Sequence, residues 1–330
     1  MALSNSHGGQ FVSGQSVPPT STRAAFSAGI ERDRSAAAAP ALAILPNMQQ
    51  RIDVVAAGRV AVVTGAASGI GFALSERFAR EGLRVVMADI EEPALAEAAE
   101  VLIGRGAQVL PVPTDVASSA QVDALRDRAL DAFGAVHVVC SNAGVTGLGR
   151  SLWEMKRSDW DWVLGVNLWG VINGIRSFVP VLREQDAAHI VNTASVAGLV
   201  AGTLGPYSVT KHAVVALSEA LYVQLLQYGP NIGVSVLCPG WVKTQILDSD
   251  RNRPAELEPP PEPDPAWAAA REMARQLVES GIEPAQVATQ VVDAIRAGRF
   301  YVLTHPDMND AIRRRTEDIL AGGPPRLSPL

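Results

Sequence analysis

The sequence has no excess of positive charge. Its 330 residues include 28 Lys and Arg against 34 Asp and Glu, which gives a formal net charge of −6 at pH 7. Proteins that hold nucleic acid or an anionic membrane surface use a basic field for it, and these totals supply none. We therefore expect no nucleic-acid partner and no membrane partner.

Long apolar runs and metal-binding motifs are also lacking. No uninterrupted apolar stretch approaches the roughly 20 residues that a membrane-spanning helix requires. The five histidines form no H-E-x-x-H motif and no Cys/His cluster, so we expect no metal site. Cysteine is scarce: Cys140 and Cys238 each end an apolar run. We interpret them as small buried residues of a reducing compartment, which favours the cytoplasm.

Hydrophobic periodicity is missing from residues 1–55. This stretch is rich in Ser, Gly, Ala and Pro, a composition typical of a disordered extension. The apolar run SAAAAPALAILP begins only at Ser35 and contains prolines, which argues against a secretory signal. Met48 directly precedes the ordered pattern, so a translation start at Met48 is a hypothesis. An unfolded or inactive protein made from residues 48–330 would refute it.

From residue 58 onward, seven short β-branched runs alternate with longer segments of helical period. The runs are RVAVVTG, RVVMAD, AQVLPVPTD, VHVVCSNAG, HIVNTAS, IGVSVLCPG and FYVLTH. The helical segments include residues 69–82, 93–104, 118–133, 153–185 and 206–228. Apolar strands that alternate with helices predict a parallel sheet covered on both faces. We therefore predict one α/β domain over residues 56–330, a doubly wound Rossmann domain with a seven-stranded parallel sheet and helices on both faces.

The alternation breaks between Thr244 and about residue 283. The stretch RPAELEPPPEPDP is too rich in proline for the interior of a helix or a strand. This irregular insert follows a strand whose carboxyl end faces the ligand crevice of such a sheet. We therefore interpret residues 245–283 as a substrate lid, with a disordered segment as the alternative.

The usual order of a doubly wound sheet makes a prediction about the two thiols. Cys140 ends the fourth run and Cys238 ends the sixth. With the fifth strand between them, they should lie about two strand spacings apart, roughly 9.6 Å. That separation exceeds the reach of a disulfide.

The sequence VTGAASGIG follows the first strand and opens the first helix. Gly65, Gly69 and Gly71 allow the backbone to turn tightly and to approach a pyrophosphate, whose charge the free N–H groups of the helix N-terminus meet. Ser68 and Ile70 belong to the same turn. A plain strand-to-helix connection is the alternative, but the position of the motif between strand and helix favours a dinucleotide.

Asp89 ends the second strand, 24 residues after Gly65. A carboxylate at this position accepts hydrogen bonds from both hydroxyls of the adenosine ribose and repels a 2′-phosphate. The neighbouring Ser68 and Ile90 are not basic, so they do not offset that repulsion. The sequence therefore predicts NAD rather than NADP as the cofactor, and a surface Asp in a turn is the alternative.

Several motifs occur in an order that resembles the short-chain dehydrogenase/reductase family, over residues 57–305. They are TGAASGIG, TDV at 114–116, SNAG at 141–144, Asn167 in VNLWG, Ser195 in NTASVAG, YSVTK at 207–211 and PGWVKT at 239–244. Each motif is weak alone, whereas their joint order is specific. Two departures occur: Ser141 replaces the first Asn of the family's N-N-A-G, and Ser195 lies 12 rather than 13 residues before Tyr207. The second departure reshapes the loop beside the substrate.

The resemblance implies four catalytic roles. Tyr207 is the acid/base, Lys211 lowers its pKa and holds the nicotinamide ribose, Ser195 donates to the substrate oxygen, and Asn167 anchors a proton-relay water. Positions i and i+4 share one face of a helix, so the Tyr and the Lys can reach one crevice. Lowering a tyrosine pKa from ~10 to near neutrality requires roughly 4 kcal/mol. One ammonium about 4 Å away supplies roughly that amount at an effective dielectric of ~20.

The resemblance also implies further cofactor contacts. They are Asp115 and Val116 at the adenine, Asn142 and Gly144 on the adenosine side, and Val242 and Thr244 at the nicotinamide carboxamide. For the pair on the adenosine side, a plain strand-ending turn is the alternative. We interpret the four tryptophans of residues 153–185 as packing or subunit-interface residues rather than as an aromatic substrate cage.

The sequence thus predicts an NAD-dependent oxidoreductase that transfers a hydride between a secondary alcohol or ketone and the nicotinamide. The lid and the stretch AGLVAGTLG favour a fairly apolar substrate. The resemblance implies a homodimer or homotetramer formed through the two long helices. One alternative is an NAD-bound lyase or epimerase, which usually carries T-G-x-x-G-x-x-G and a longer carboxyl-terminal substrate domain. The other is a non-catalytic nucleotide-sensing protein, which would be expected to lose Ser195, Tyr207 or Lys211.

Overall fold

The computed structural model describes residues 52–147, 151–257 and 265–327. Strands and helices alternate within these ranges as the apolar pattern predicts. The strands are β1 (Val60–Thr64), β2 (Arg84–Asp89), β3 (Val109–Pro113), β4 (Val138–Ser141), β5 (Ala188–Thr193), β6 (Ile232–Cys238) and β7 (Tyr301–Leu303). The helices are α1 (Gly69–Arg80), α2 (Glu92–Ile103), α3 (Ser119–Phe133), α4 (Arg157–Leu164), α5 (Gly170–Arg183), α6 (Pro206–Tyr228), α7 (Pro265–Glu279), α8 (Pro284–Ala297) and α9 (Asn309–Leu320).

The strands of the described ranges form one seven-stranded sheet in the order β3-β2-β1-β4-β5-β6-β7. Every neighbouring pair is parallel, which confirms the predicted doubly wound fold. Strand β5 lies between β4 and β6, as expected, and separates Cys140 from Cys238. Both thiols are buried and free.

Valine-rich strands suit this sheet because both of its faces are covered. Successive side chains of a strand point to opposite faces, and β1 divides its residues accordingly. Val63 packs in a core with Phe78 of α1, whereas Val62 packs in a second core with Phe178 of α5. Full burial of one such side chain contributes roughly 1.5–3 kcal/mol, so the two cores fix the strand ends that carry the site.

The packed domain begins earlier than the sequence pattern indicates. Val54 and Val55 are buried and join the core around α1, although the predicted extension includes them. Two consecutive apolar residues carry no period of their own, but they bury readily where the chain passes a core. The extension up to residue 51, with the hypothetical start at Met48, lies outside the described residues.

The single helix predicted over 153–185 is divided in the structure. Helix α4 ends at Leu164, a π-helical turn covers Gly165–Trp169, and α5 begins at Gly170. A π-turn adds a residue to the helical repeat and occurs frequently at functional sites. Asn167 lies at the centre of this turn.

The interval predicted as an irregular lid contains regular structure. A 3₁₀ segment covers Ile246–Asn252, and α7 covers Pro265–Glu279. The helix is consistent with its own sequence, because proline suits a first helical position and AWAAAREMARQLVE is rich in good helix formers. Residues 258–264 of the predicted lid lie outside the described residues. None of the described helices has the length and apolar composition needed to cross a membrane.

Candidate active site

The carboxyl ends of the strands border a crevice of about 400 Å³. Ligands of doubly wound sheets bind in this place. The sequence-predicted residues that line the crevice are Gly65, Ser68, Gly69, Ile70, Asp89, Ile90, Asp115, Val116, Asn142, Gly144, Ser195, Tyr207, Lys211, Val242 and Thr244. Gly71 and Asn167 do not line it, and both lie behind its wall.

The turn between β1 and α1 depends on close contacts that glycine permits. Gly65 and Gly69 have φ of 66° and 54°, a region that side chains with a Cβ disfavour. A Cβ on Gly71 would lie 1.9 Å from the carbonyl oxygen of Gly65. Ser68 is the N-cap of α1, but its side chain makes no capping hydrogen bond. The N–H groups at the start of α1, beside the crevice, therefore suit an anionic ligand.

Asp89 presents its carboxylate at the end of β2. Its two oxygens accept hydrogen bonds from the backbone N–H groups of Ala67, at 3.0 Å, and Glu91, at 3.1 Å. Burial raises the pKa of this carboxyl group, and the two backbone hydrogen bonds oppose the rise. A carboxylate oxygen has more than one lone pair, so Asp89 can still accept from ribose hydroxyls. With the uncapped helix start, it suits a ligand that carries both an anionic group and hydroxyl groups.

Asn142 joins the ends of three strands. Its amide nitrogen donates to the carbonyl oxygen of Thr64 at 3.0 Å, and its amide oxygen accepts from the hydroxyl of Thr193 at 3.3 Å. Asp115 supports the turn that follows β3, because its carboxylate accepts a hydrogen bond from the N–H of Ala117 at 2.9 Å. The side chains of both residues therefore shape the wall of the crevice.

Gly144 lies close to Lys211 and Asn167. A Cβ built on it would be 3.5 Å from Nζ of Lys211 and 3.4 Å from Oδ1 of Asn167. The reason is the next residue, Val145, whose N–H and C=O both bond the side chain of Asn167 at 2.8 Å. Gly144 thus lies beside Lys211, and its predicted place on the adenosine side of a cofactor stays a prediction.

Asn167 is fully buried and its amide is committed to protein atoms. Besides the two bonds to Val145, its nitrogen donates to the hydroxyl of Thr210 on α6 at 3.2 Å. The side chain therefore ties the π-turn to the segment after β4 and to α6. Its predicted role as the anchor of a water molecule stays a prediction.

Ser195, Tyr207 and Lys211 meet at one end of the crevice. Tyr207 and Lys211 lie four residues apart on α6, and the Lys211 ammonium is 5.5 Å from the centroid of the Tyr207 ring. The Ser195 side chain acts to lower the pKa of the Tyr207 phenol, and its hydroxyl donates to the carbonyl oxygen of Pro239 at 3.4 Å. The hydroxyl oxygen of Ser195 also accepts from the N–H of Ala197 at 3.1 Å. A phenol, a second hydroxyl group and an ammonium thus face the same space.

Burial governs the electrostatics of this group. It raises the pKa of the Tyr207 phenol, a rise that the side chain of Ser195 opposes. It lowers the pKa of the Lys211 ammonium to about 8. Removal of water from the phenolate is the largest effect on the Tyr207 pKa, and the predicted lowering of this pKa by Lys211 stays a prediction.

The far wall of the crevice is mainly apolar. Residues of four segments contribute to it: Trp162, Val196, Leu204, Trp241, Leu247 and Val278. Trp162 is 7% exposed, whereas Trp153 and Trp169 are 85% and 54% exposed. The four predicted packing tryptophans therefore differ, and one of them borders the site.

A segment of the predicted lid lies along the crevice and bonds to its surroundings. We call residues 246–253 the crossing segment. Arg251 and Asn252 bond the Glu91 carboxylate, after β2, at 3.0 and 2.8 Å. Ser249 accepts from the N–H of Thr146, after β4, at 2.9 Å. The crossing segment therefore connects three elements around the crevice: the turn after β2, the segment after β4 and, through Arg253, helix α4.

The contacts of Arg253 complete this arrangement. Its guanidinium forms an ion pair with Asp159 and lies 5.4 Å from the ring centroid of Trp162. Both partners belong to α4, on the apolar side of the crevice. Among the described residues, no group of three or more His, Cys, Asp or Glu is placed to hold a metal ion.

Comparison with known proteins agrees with this geometry. A sequence profile of the short chain dehydrogenase family matches residues 59–255. The chain is 34% identical to a CLA biosynthesis dehydrogenase/reductase of Lactiplantibacillus plantarum, over 81% of this chain and 95% of that protein. It is 38% identical to a 1-deoxy-11-beta-hydroxypentalenate dehydrogenase of Streptomyces exfoliatus, over 79% and 88%.

A solved structure is also similar. It is a short chain dehydrogenase/reductase from Burkholderia phymatum in complex with NAD. The two chains share 47% sequence identity and superpose with a TM-score of 0.80, over 83% of this chain and 98% of the other. The similarity therefore extends over most of the chain.

Proposed function

The chain belongs to the short-chain dehydrogenase/reductase family of oxidoreductases, and from this premise we propose that it is an NAD-dependent dehydrogenase or ketoreductase of secondary alcohols. One observation carries the proposal. Ser195, Tyr207 and Lys211 meet in a crevice that also contains Asp89 and the glycine turn. An acid/base group and a dinucleotide site thus share one cavity.

Each of the three side chains has a distinct task in the proposed oxidation. Tyr207, as phenolate, accepts the proton of the substrate hydroxyl, and Ser195 donates a hydrogen bond to the same oxygen. Lys211 favours the phenolate by its charge and holds the nicotinamide ribose. NAD supplies the acceptor for the hydride that leaves the substrate carbon. Ketone reduction reverses these transfers.

The preference for NAD rests on Asp89. Its carboxylate lies at the crevice, where a 2′-phosphate would meet a second negative charge. The similar Burkholderia phymatum enzyme was crystallised with NAD, which supports the same cofactor here. Titration with NADH and NADPH tests the assignment: tighter NADH binding is expected, and equal or reversed affinities would refute the role of Asp89.

A fairly apolar substrate fits the far wall of the crevice. Trp162, Leu204 and Leu247 present carbon surface there, and burial of such surface contributes about 25 cal/mol per Å². The Streptomyces exfoliatus relative is named for a dehydrogenation of 1-deoxy-11-beta-hydroxypentalenate. We expect kcat/KM to rise with the apolar area of a secondary alcohol.

A panel of secondary alcohols with NAD tests the catalytic assignment. Tyr207→Phe should lose nearly all turnover on any substrate that the wild type oxidises. Tyr222→Phe, on the same helix and 39% exposed, is the matched control and should retain it. Full turnover by the Tyr207 variant would refute the mechanism. Conversion of a substrate without net NADH formation would favour a lyase or epimerase, and binding without any turnover would favour a nucleotide sensor.

We also propose a homodimer or homotetramer that forms through the two long helical segments, residues 153–185 and residues 206–228. Exposed apolar side chains on α6 and near α5 support this, among them Trp169, Val223 and Tyr228 at 54%, 65% and 61% exposure. Light scattering after size-exclusion chromatography should show a mass of two or four chains; a monomer at micromolar concentration would contradict it.

A cytoplasmic location is proposed from the free thiols of Cys140 and Cys238, and export of the tagged protein would contradict it.

A further inference from the structure

Glu91 lies two residues beyond Asp89 and also lines the crevice. Its Oε1 accepts from Nε of Arg251 at 3.0 Å and from the amide of Asn252 at 2.8 Å. A second nitrogen of the guanidinium lies 2.8 Å from the same oxygen. One carboxylate oxygen therefore holds the end of the crossing segment against the turn that follows β2.

Arg251 is the cationic side chain that lies beside the turn after Asp89. Among the described residues that line the crevice, Arg251 and Lys211 are the two Arg or Lys side chains. Lys211 lies beside Tyr207, whereas Arg251 bonds the residue that follows Asp89 and Ile90. A 2′-phosphate on a ribose held by Asp89 would meet Arg251 rather than Lys211.

The guanidinium of Arg251 is held on a second side as well. Its remaining terminal nitrogen donates to the carbonyl oxygens of Gln245 and Asp248 at 3.2 and 3.1 Å. Burial acts to raise the pKa of Glu91, but hydrogen bonds from Arg251 and Asn252 lower it overall. Glu91 is therefore ionised at neutral pH, and its pair with Arg251 is complete.

We propose that Glu91 is a second cofactor-specificity residue, which withholds Arg251 from the 2′-phosphate of NADP. The inference rests on the proposed NAD-dependent function and extends it beyond Asp89. A guanidinium binds phosphate strongly through paired N–H donors. Here the guanidinium of Arg251 lies beside the proposed adenosine ribose site, and the carboxylate of Glu91 neutralises its charge. Discrimination against NADP thus has two parts: repulsion by Asp89, and occupation of the nearby cation by Glu91.

Binding measurements on the full chain test this. NADH and NADPH dissociation constants are measured by fluorescence titration for the wild type, Glu91→Gln, Arg251→Gln, the double variant and Glu81→Gln. Glu91→Gln should shift the affinity ratio towards NADPH by at least about tenfold, equivalent to ~1.4 kcal/mol. Arg251→Gln alone should shift it the opposite way, because Glu91 then repels the phosphate uncompensated. The double variant should lose the NADPH gain of Glu91→Gln.

Glu81→Gln is the matched control. It makes the same exchange of a carboxylate for an amide and breaks an ion pair with an arginine, Arg296, at 2.7 Å in the wild type, but Glu81 does not line the crevice. Its affinity ratio should equal that of the wild type. Thermal unfolding checks that each variant is folded, and the Arg251→Gln shift tests the proposal even where Glu91→Gln does not fold.

Several results would overturn the inference. An unchanged ratio in Glu91→Gln, or equal weakening of both dinucleotides, would reduce Glu91 to an anchor of the crossing segment. An NADPH gain that persists in the double variant would exclude Arg251 as its source. A wild type that binds neither dinucleotide would refute the proposed function together with this inference, whereas a wild type that prefers NADH with no response to Glu91→Gln would refute the inference alone.

Discussion

The ammonium of Lys211 donates a hydrogen bond to the carbonyl oxygen of Thr193 at 2.9 Å, while it lies 5.5 Å from the ring centroid of Tyr207. Lys211 is only 3% exposed, so its charge has exchanged water for a neutral carbonyl. Burying a charge without an ionic partner is unfavourable. The site therefore contains a residue that opposes stability, which is common where activity requires a particular charge.

Replacement of this lysine should stabilise the protein at neutral pH. Burial lowers the pKa of Lys211 to about 8 from an ordinary value of 10.5. The unfolded chain then binds more protons between these two values, so wild-type stability rises with pH across that window. Lys211→Met removes the penalty, which is fully present below pH 8, but leaves the Thr193 carbonyl unpaired. We expect a net gain of roughly 1–2 kcal/mol at pH 7.

Urea unfolding at pH 7 and pH 10 measures this effect. The gain of Lys211→Met over the wild type should be smaller at the higher pH, because the wild-type lysine has by then lost its proton. Lys243→Met, which alters an exposed ion pair with Glu283, should show no comparable pH dependence. A Lys211→Met variant whose stability difference is the same at both pH values would contradict the assignment.

The phenol of Tyr207 should titrate above its ordinary value until a dinucleotide binds. Burial raises its pKa, and the positive nicotinamide ring of NAD would favour the phenolate. The difference in phenolate absorbance between the wild type and Tyr207→Phe isolates this one residue. We expect a midpoint above pH ~10 for the protein alone and a lower midpoint with saturating NAD. Identical midpoints would show that the cofactor does not activate the tyrosine.

Asn167 should matter for stability as well as for activity. Its amide satisfies both the N–H and the C=O of Val145 at 2.8 Å in a fully buried position. Asn167→Ala leaves these two backbone groups unpaired, so we expect a loss of about 2–4 kcal/mol in the free energy of unfolding. Asn309→Ala, at an exposed position, should change it by no more than about 0.5 kcal/mol. Chemical denaturation of both variants decides the point, and wild-type stability of Asn167→Ala would be the contrary result.

Local patterns explain why so much of the fold could be predicted. Each strand is a short β-branched run. Because both faces of the sheet are covered, apolar residues follow one another along the run instead of alternating with polar ones. The glycine turn is equally local, because Gly65, Gly69 and Gly71 lie within seven residues. Such motifs therefore predict site residues along one crevice from the sequence.

Polar contacts between distant segments carry no such pattern. Arg251 and Glu91 are separated by 160 positions, and Arg253 and Asp159 by 94. No periodicity in the sequence links them, so the crossing segment was visible only as a break in the pattern. The pKa of Tyr207 shows the same limit, since its direction depends on how completely the fold removes water from the phenol.

The contact between Gly71 and Gly65 leads to the sharpest test of the glycine turn. A Cβ at residue 71 would lie 1.9 Å from the Gly65 carbonyl oxygen, far inside van der Waals contact, so Gly71→Ala must displace the turn or α1. We expect about 1–3 kcal/mol of lost stability. NADH binding should weaken more than tenfold, because the helix N-terminus no longer faces the pyrophosphate. Gly202→Ala is the control, since its Cβ would come no nearer than 3.8 Å to the hydroxyl oxygen of Ser208. Wild-type NADH affinity in Gly71→Ala, measured by the same titration, would show that this turn does not hold the cofactor.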